Sequence, residues 1–352
     1  MRQEFQYKNF IYILDENNNH VVETIPDIPI PSKIYKYYSI SENSMNALEE
    51  LKLYSTHPFL FNDSIDSSEL LLDFKNISEE RYISFFNRML TPEEFNKYDW
   101  KENYVEDKDD NFNGIRNFTY ANFSRNYGLI SLTTVPFNIL MWSHYTSETG
   151  FVIGFETQSL LSDIKYNKDI NNYCFRPIQY VDKVEKIDMF HSRFSTPDVP
   201  FLYITTVKRD NWQYEDEWRL SIYKNSMDIP FGKLYPAMKT YPGKEDRFFR
   251  YQKESIESIS LGKHFFNGSN CELTKEGNIF VLHKRFDENK ESDERFINFV
   301  NHLINNYNDK LYMSGELERG NILLRSLGRI KIEKISEKEY KIIDLKEIKV
   351  QD

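Results

Sequence analysis

The chain has 352 residues, 40% hydrophobic and 16% aromatic, which excludes an intrinsically disordered protein and leaves, at about 150 residues per domain, two folding units or one elaborated one. Lys and Arg total 45 against 55 Asp and Glu, a net charge of −10, which argues against a broad electrostatic grip on nucleic acid or anionic lipid and permits only a local basic patch. No apolar run approaches the roughly 18 residues that cross a bilayer, and the first residues lack a secretory signal's apolar centre, so no membrane association and a cytoplasmic location are expected. Cys174 and Cys271 stand alone, and the seven histidines are scattered. Two buried thiols and no metal site are expected. The Rossmann, P-loop, nucleophile-elbow and HExxH patterns are all absent.

Residues 1 to about 30 contain short apolar runs followed by Pro26, Pro29 and Pro31, which predicts an extended entry segment. A strand at Ile34–Tyr38 and an amphipathic helix over Ser44–Leu53 come next. Ser64–Tyr98 is mostly helical by period, and Lys101–Asn113, rich in Asn and Asp, reads as an exposed loop. The stretch after it is rich in strands: Gly128–Val135 and Gly150–Phe155 flank a short helix over Pro136–Tyr145, and further strands are predicted at Phe175–Val181, Tyr203–Lys208, Glu217–Tyr223 and Ile256–Leu261. Helices lead and strands follow without regular alternation, so the fold class is α+β around a mixed or antiparallel sheet. A helix over Asp293–Tyr307 and strands at Ile330–Ile335 and Tyr340–Leu345 complete the chain. The expected organisation is an N-terminal extension (1–32), a core domain (33–270) and a C-terminal extension or small subdomain (271–352).

Read as one strand of period two, Trp212–Leu220 places Trp212, Tyr214, Trp218 and Leu220 on one face and Glu215, Glu217 and Arg219 on the other. This is either a wet face carrying a surface Glu217–Arg219 ion pair or a pair of carboxylates aimed at one place. Ser131 and Thr133 share a face opposite Leu132, as two hydroxyls lining a cleft would, although Thr is also simply a good strand residue. Lys36, between two tyrosines, is a surface lysine or a point charge for a phosphate. Trp142 and Tyr145, at i and i+3, are core aromatics or a flat ring for a base. Asn62 and Asp63 form a turn or a ribose contact. His144, flanked by Trp and Ser, is a packing residue.

In this order, Tyr35-Lys36-Tyr37, Phe61-Asn62-Asp63, Met141-Trp142-Ser143-His144-Tyr145 with Gly150 and Phe155, Trp212-Gln213-Tyr214-Glu215-Asp216-Glu217-Trp218-Arg219-Leu220 and Ile256–Gly262 resemble the bacterial family called domain of unknown function 2971, over about residues 33–266. A second resemblance is to ADP-ribosyltransferases, carried by Lys36, then Ser131-Leu132-Thr133, then Glu215-Asp216-Glu217; here Lys36 replaces the usual Arg or His and Leu132 interrupts the polar triplet. It implies a split sheet that grips NAD, with Glu217 stabilising the oxocarbenium-like sugar and Glu215 orienting or deprotonating the acceptor. Lys36, Asn62, Ser131, Thr133, Trp142 and Tyr145 would contact the dinucleotide. The implied function is transfer of ADP-ribose from NAD to a macromolecular acceptor, as a toxin or anti-phage effector. The alternative is a non-enzymatic nucleotide-sensing or protein-interaction module.

Overall fold

The structure, a computed structural model, describes residues 2–167, 170, 172–225, 227, 244–266, 271–276, 279–284, 291–337 and 339–350. Residues 3–24 form an antiparallel meander, β1 (Gln3–Tyr7), β2 (Phe10–Leu14) and β3 (His20–Thr24). The expected extended entry is thus already sheet, because Tyr7, Phe10, Tyr12, Leu14 and Val22 enter an aromatic cluster. After the prolines come β4 (Lys33–Tyr38), α1 (Glu42–Glu49) and β5 (Lys52–Tyr54). A reciprocal Ser41–Ser44 capping box starts α1; Leu51, at φ 54°, ends the turn after it, short of the expected helix end.

The next segment holds two 3₁₀ turns, β6 (Leu72–Asp73), α2 (Glu79–Met89), α3 (Pro92–Phe95), α4 (Trp100–Asp109) and α5 (Asn113–Asn126). The expected loop at 101–113 is therefore corrected to a helix over most of its length. Asp99 accepts from the Lys101 and Glu102 N–H groups at its start, and buried Tyr104 donates to the Ile77 carbonyl. A cap and two anchoring aromatics, Tyr104 and the Trp100 ring stacked on Phe86 at 4.6 Å, hold a helix whose other residues apart from Val105 are polar.

Strands β7 (Tyr127–Thr133) and β8 (Phe151–Glu156) flank α6 (Ile139–Thr146), and α7 (Thr157–Lys165) precedes β9 (Asn172–Pro177), β10 (Gln179–Val181) and β11 (Ile187–Asp188). The strand expected at Tyr203–Lys208 is only partly extended: α8 (Asp198–Ile204) takes in its first two residues, Thr205 and Thr206 turn, and β12 (Val207–Arg209) begins at Val207. Trp212–Leu220 is not one strand either. Residues Asp210–Glu215 form a 3₁₀ turn, Asp216 sits at φ 41°, and β13 (Glu217–Tyr223) begins at the glutamate. The chain closes with β14 (Phe248–Arg250), β15 (Ile256–Leu261), β16 (Cys271–Glu276), β17 (Ile279–Lys284), α9 (Glu291–Tyr307), β18 (Leu311–Arg319), β19 (Ile322–Ser336) and β20 (Glu339–Val350).

Among the described residues eleven strands form one sheet in the order β16-β17-β20-β19-β18-β15-β8-β4-β7-β13-β9. Neighbours are antiparallel except β15 and β18, so the α+β class with a mixed sheet holds. Strand β4 pairs with β8 along its full length, from Lys33↔Glu156 to Tyr38↔Phe151, but meets β7 only at Tyr35↔Thr133. Beyond that pair the two strands diverge, and the sheet forks. One core cluster joins Ile34, Ile130, Leu132, Ile153, Trp218 and Leu220 to α1, α7 and α9. A second, dense in aromatics, joins the meander to α2, α4, α5 and α8, with ring pairs such as Phe123–Phe201 at 4.2 Å. Cys174 is a buried free thiol; the Cys271 side chain lies outside the described residues. Among the described residues no helix is long and apolar enough to cross a membrane.

Gly150 enters β8 where backbone meets backbone: a Cβ there would lie 2.0 Å from the Tyr38 carbonyl oxygen and 2.9 Å from Thr146. Gly150→Ala is expected to destabilise the fold by about 2 kcal/mol or more, read as a lower denaturant midpoint. Gly315→Ala, whose added carbon meets only Ser326 Oγ at 3.7 Å, is expected to stay within about 0.5 kcal/mol of wild type.

Candidate functional site

The register of the sheet assembles the site. Strand β13 lies beside β7 with Glu217 opposite Thr133 and Arg219 opposite Ser131, so the charged face of one strand and the hydroxyl face of the other coincide, while Trp218, Leu220, Ile130 and Leu132 turn into the core. The fork between β4 and β7 leaves this face open. A cavity of about 130 Å³ occupies it, walled by Tyr35, Lys36 and Tyr37 of β4, Ser131, Leu132 and Thr133 of β7, Met141 and Tyr145 of α6, Phe61 and Asn62 of a loop, and Lys208, Glu215 and Glu217.

Where the ladder between β4 and β7 lapses, the Lys36 side chain takes over: its ammonium donates to the Ser131 carbonyl at 3.0 Å and lies 5.8 Å from the Tyr38 ring centre. That single hydrogen bond leaves donor capacity facing the cavity. Burial pushes the Lys36 ammonium down to about 8, with Glu217 pulling it back up. Tyr37 ties the other side of the fork, donating to the Val135 carbonyl at 2.8 Å.

The opposite wall is a buried ion cluster. Arg219, 1% exposed, forks onto Asp66 (2.7 and 2.9 Å), reaches Glu217 Oε1 at 2.8 Å through Nη2 and at 2.9 Å through Nε, and also donates to the Thr205 carbonyl at 2.9 Å. Lys208 contacts Glu215 at 2.6 Å, Glu217 at 3.3 Å and Asp66 at 3.6 Å. The Tyr145 hydroxyl donates to Glu215 Oε1, and Thr133 Oγ1 donates to the Glu215 carbonyl at 2.5 Å. The Glu217 N–H donates to Tyr180 Oη at 2.9 Å. Burial lifts the Glu215 carboxyl above the usual range, and Glu217 adds to the lift, while Lys208 and Tyr145 oppose it. Burial would also lift Asp66 and depress Lys208 and Arg219, but their mutual attraction outweighs it: Asp66 is held low and both cations high. Burial, with Glu215 adding to it, raises Tyr145 well above its ordinary value.

Glu215, Glu217, Lys36, Ser131, Thr133, Tyr145 and Asn62 thus all line this one cavity. Trp142 does not. It is fully buried with Val152 and Leu327, its indole N–H donates to the Pro136 carbonyl at 2.8 Å, and its ring packs on Tyr37. Nor does Pro136 open α6, whose first N–H groups are capped by Asn138. The Glu217–Arg219 pair is buried, not on the surface, because a third carboxylate, Asp66, completes it. His144 is exposed and meets Tyr214 Oη through Nδ1 at 3.2 Å, outside the cavity. Asp63 accepts from the Ile65 N–H at 3.0 Å, the turn role expected of it. Sequence reasoning missed Asp66 and Lys208. The only available signal was a lysine ending the apolar run Phe201–Val207. No group of three or more His, Cys, Asp or Glu among the described residues has metal-binding geometry.

Residues 141–220 match the model of a family described as Protein of unknown function (DUF2971), so the family assignment made from the motifs holds on the segment that carries α6, β12 and most of the ion cluster. The motifs around Tyr35, Phe61 and Ile256 lie outside that match. No curated protein and no solved structure matches the chain.

Lys36 titrates between about pH 8 in the fold and 10.5 when unfolded. Across that window the unfolded chain binds more protons, so this residue adds stability as pH rises. Between pH 8 and 9.5, wild type is expected to gain on the order of 1–2 kcal/mol relative to Lys36→Met, measured by denaturant unfolding of both proteins at each pH. Parallel curves would refute the buried-ammonium assignment.

Proposed function

We propose that the chain, a DUF2971 family protein, is an ADP-ribosyltransferase-like enzyme with an α+β split-sheet core that cleaves the nicotinamide–ribose bond of NAD and passes ADP-ribose to a macromolecular acceptor. The observation that carries this reading is convergence: Lys36, Ser131, Thr133, Tyr145, Glu215 and Glu217, spread over 180 residues of sequence, wall one cavity in the fork of the sheet. The cavity is also electrically polar. Three carboxylates against Lys208 and Arg219 leave one net negative charge on one wall, and Lys36 stands on the other. A ligand with a cationic ring at one end and an anionic pyrophosphate at the other fits that polarity. A volume near 130 Å³ takes a ring of nicotinamide size and requires the rest of a dinucleotide to run outward past Lys36 or Asn62.

In this reading Glu217, held in place by Arg219, stabilises the positive sugar as the electron pair of the C1′–N bond leaves with nicotinamide. Glu215, with its raised proton affinity and its bond to Tyr145, takes the acceptor's proton as the new bond to C1′ forms. Ser131 and Thr133 supply the hydroxyl wall and Lys36 a point charge for pyrophosphate. Action as a toxin or anti-phage effector belongs to the same proposal by analogy alone. One observation favours a second reading, a nucleotide-sensing or interaction module without chemistry: in this state Glu217 is already engaged by Arg219 through one oxygen and Lys208 through the other.

The test is nicotinamide release and label transfer from NAD carrying a label in its ADP-ribose part. Wild type is expected to turn over, and Glu217→Gln to lose about 10²-fold or more while NAD binding survives. Binding without turnover for any acceptor would favour the sensing module. Absence of NAD binding would end both nucleotide readings of this cavity.

A further inference from the structure

A second groove opens beside the ion cluster, with a volume of about 430 Å³, and shares Asn62 with the central cavity. Its walls are unlike those of the cavity. Trp212 and Tyr214, both half-buried, present two neighbouring rings with centroids 6.1 Å apart. Arg209 and Asn211 stand exposed at the edge, and Asn62 and Asp63 close the other side. Trp212 is braced from within by the Lys208 ammonium, 4.8 Å from its ring centre. Tyr214 is held by its own backbone and tip, because Asn138 Nδ2 donates to its carbonyl at 2.6 Å and His144 Nδ1 meets its hydroxyl at 3.2 Å. Among the described residues the Arg209 side chain has no hydrogen bond or ion pair.

Each of these parts answers to one feature of a nucleotide. Two rigid rings make a stacking surface that any base can use. The amides of Asn62 and Asn211 offer a donor and an acceptor together, as the edge of a base requires, and Asp63 can accept from an exocyclic amine. Arg209 is a free planar fork for a phosphate. A peptide would call instead for a long open strand edge, and of such an edge this groove touches only Arg209, the last residue of the three-residue β12. We infer that the groove is a second nucleotide-binding site, in which a base stacks on Trp212 and its phosphate pairs with Arg209, and that its occupant is the acceptor of the transfer. The site itself stands on the groove; the acceptor role rests on the function proposed above. Tyr214 precedes Glu215 directly in the chain, so a base seated here lies at the mouth of the acidic pair. A nitrogen of the base would then bond to C1′ as the C1′–N pair departs with nicotinamide, and its proton would pass to Glu215.

The experiment measures binding of AMP, of a short single-stranded oligonucleotide and of ribose 5-phosphate to the full chain by calorimetry, with and without NAD, and follows label from NAD onto each. AMP or the oligonucleotide is expected to bind at least tenfold more tightly than ribose 5-phosphate. Trp212→Ala is expected to weaken base-bearing ligands about tenfold or more, and Arg209→Ala to weaken them and flatten their salt dependence. Arg209 is exposed and unpartnered, so its variant keeps the test valid if Trp212→Ala misfolds. Label arriving on the mononucleotide, the oligonucleotide or both identifies the source of the base. Affinities indifferent to both substitutions, or absence of nucleotide binding, would overturn the site. One-for-one displacement by NAD would overturn the acceptor assignment and give the groove to the dinucleotide. Trp212-dependent nucleotide binding in a protein that does not bind NAD would leave the second site standing and sink the function proposed above.

Discussion

Arg219 is the residue on which the arrangement of the site depends. A guanidinium with no exposed side-chain surface has lost its hydration, a cost of several kcal/mol even after relaxation, and that loss is offset only if its donors meet fixed acceptors. Asp66, Glu217 and the Thr205 carbonyl are those acceptors, and they come from three places in the chain: the 60s loop, the first residue of β13 and the end of α8. The arginine therefore fixes where two loops stand relative to the sheet. Removing either carboxylate would strand a buried charge, a change of about 3–5 kcal/mol. An apolar triad of the same volume would hold the loops as well, so stability alone does not account for this chemistry.

The cavity follows from a failure of pairing. Strand β4 stays with β8 for six residues and leaves β7 after one, so backbone groups that a continuous sheet would satisfy are met by side chains, with Lys36 on Ser131 and Tyr37 on Val135. The far side of the fork is buttressed by Trp142, which packs against Tyr37 and lies beside the Arg325 guanidinium at 5.4 Å. Arg325 in turn pairs with Glu148 at the end of α6. The C-terminal strands thus reach the site indirectly, through a tryptophan that forms no part of the cavity wall.

What was legible in the sequence was whatever rests on local period. Glu217–Tyr223 and Ile256–Leu261 read correctly to the residue, because alternating apolar side chains bounded by polar ones admit few alternatives. The opposite faces of Ser131 and Leu132 read correctly for the same reason. Period misled wherever long-range anchors decide. α4 is held by two aromatics, Trp100 and Tyr104, and one cap, Tyr203 enters an aromatic cluster from a helix although its neighbours have strand propensity, and Trp142 looks like a ligand ring only until its indole N–H is seen to be occupied by the Pro136 carbonyl. Asp66 carried no signal and Lys208 only its place at the end of an apolar run, since nothing local to either residue announces a partner, in Asp66's case one 153 positions away in the chain.

The two glutamates show how a mistaken element produced a correct grouping. A continuous strand would bring Glu215 and Glu217 to one face by pleat, with their carboxylates in equivalent settings. The chain instead turns through a 3₁₀ segment and passes Asp216 at φ 41°, so Glu215 comes off a turn and Glu217 off a strand, and they reach Lys208 from different directions. That difference separates their chemistry. Glu217 is gripped by Arg219 through Nε and Nη2 from two residues along the same strand, whereas Glu215 accepts a hydrogen bond from the Tyr145 hydroxyl and has its proton affinity raised by burial. The two carboxylates therefore stand in different settings, a difference that two equivalent positions on a flat strand would not provide.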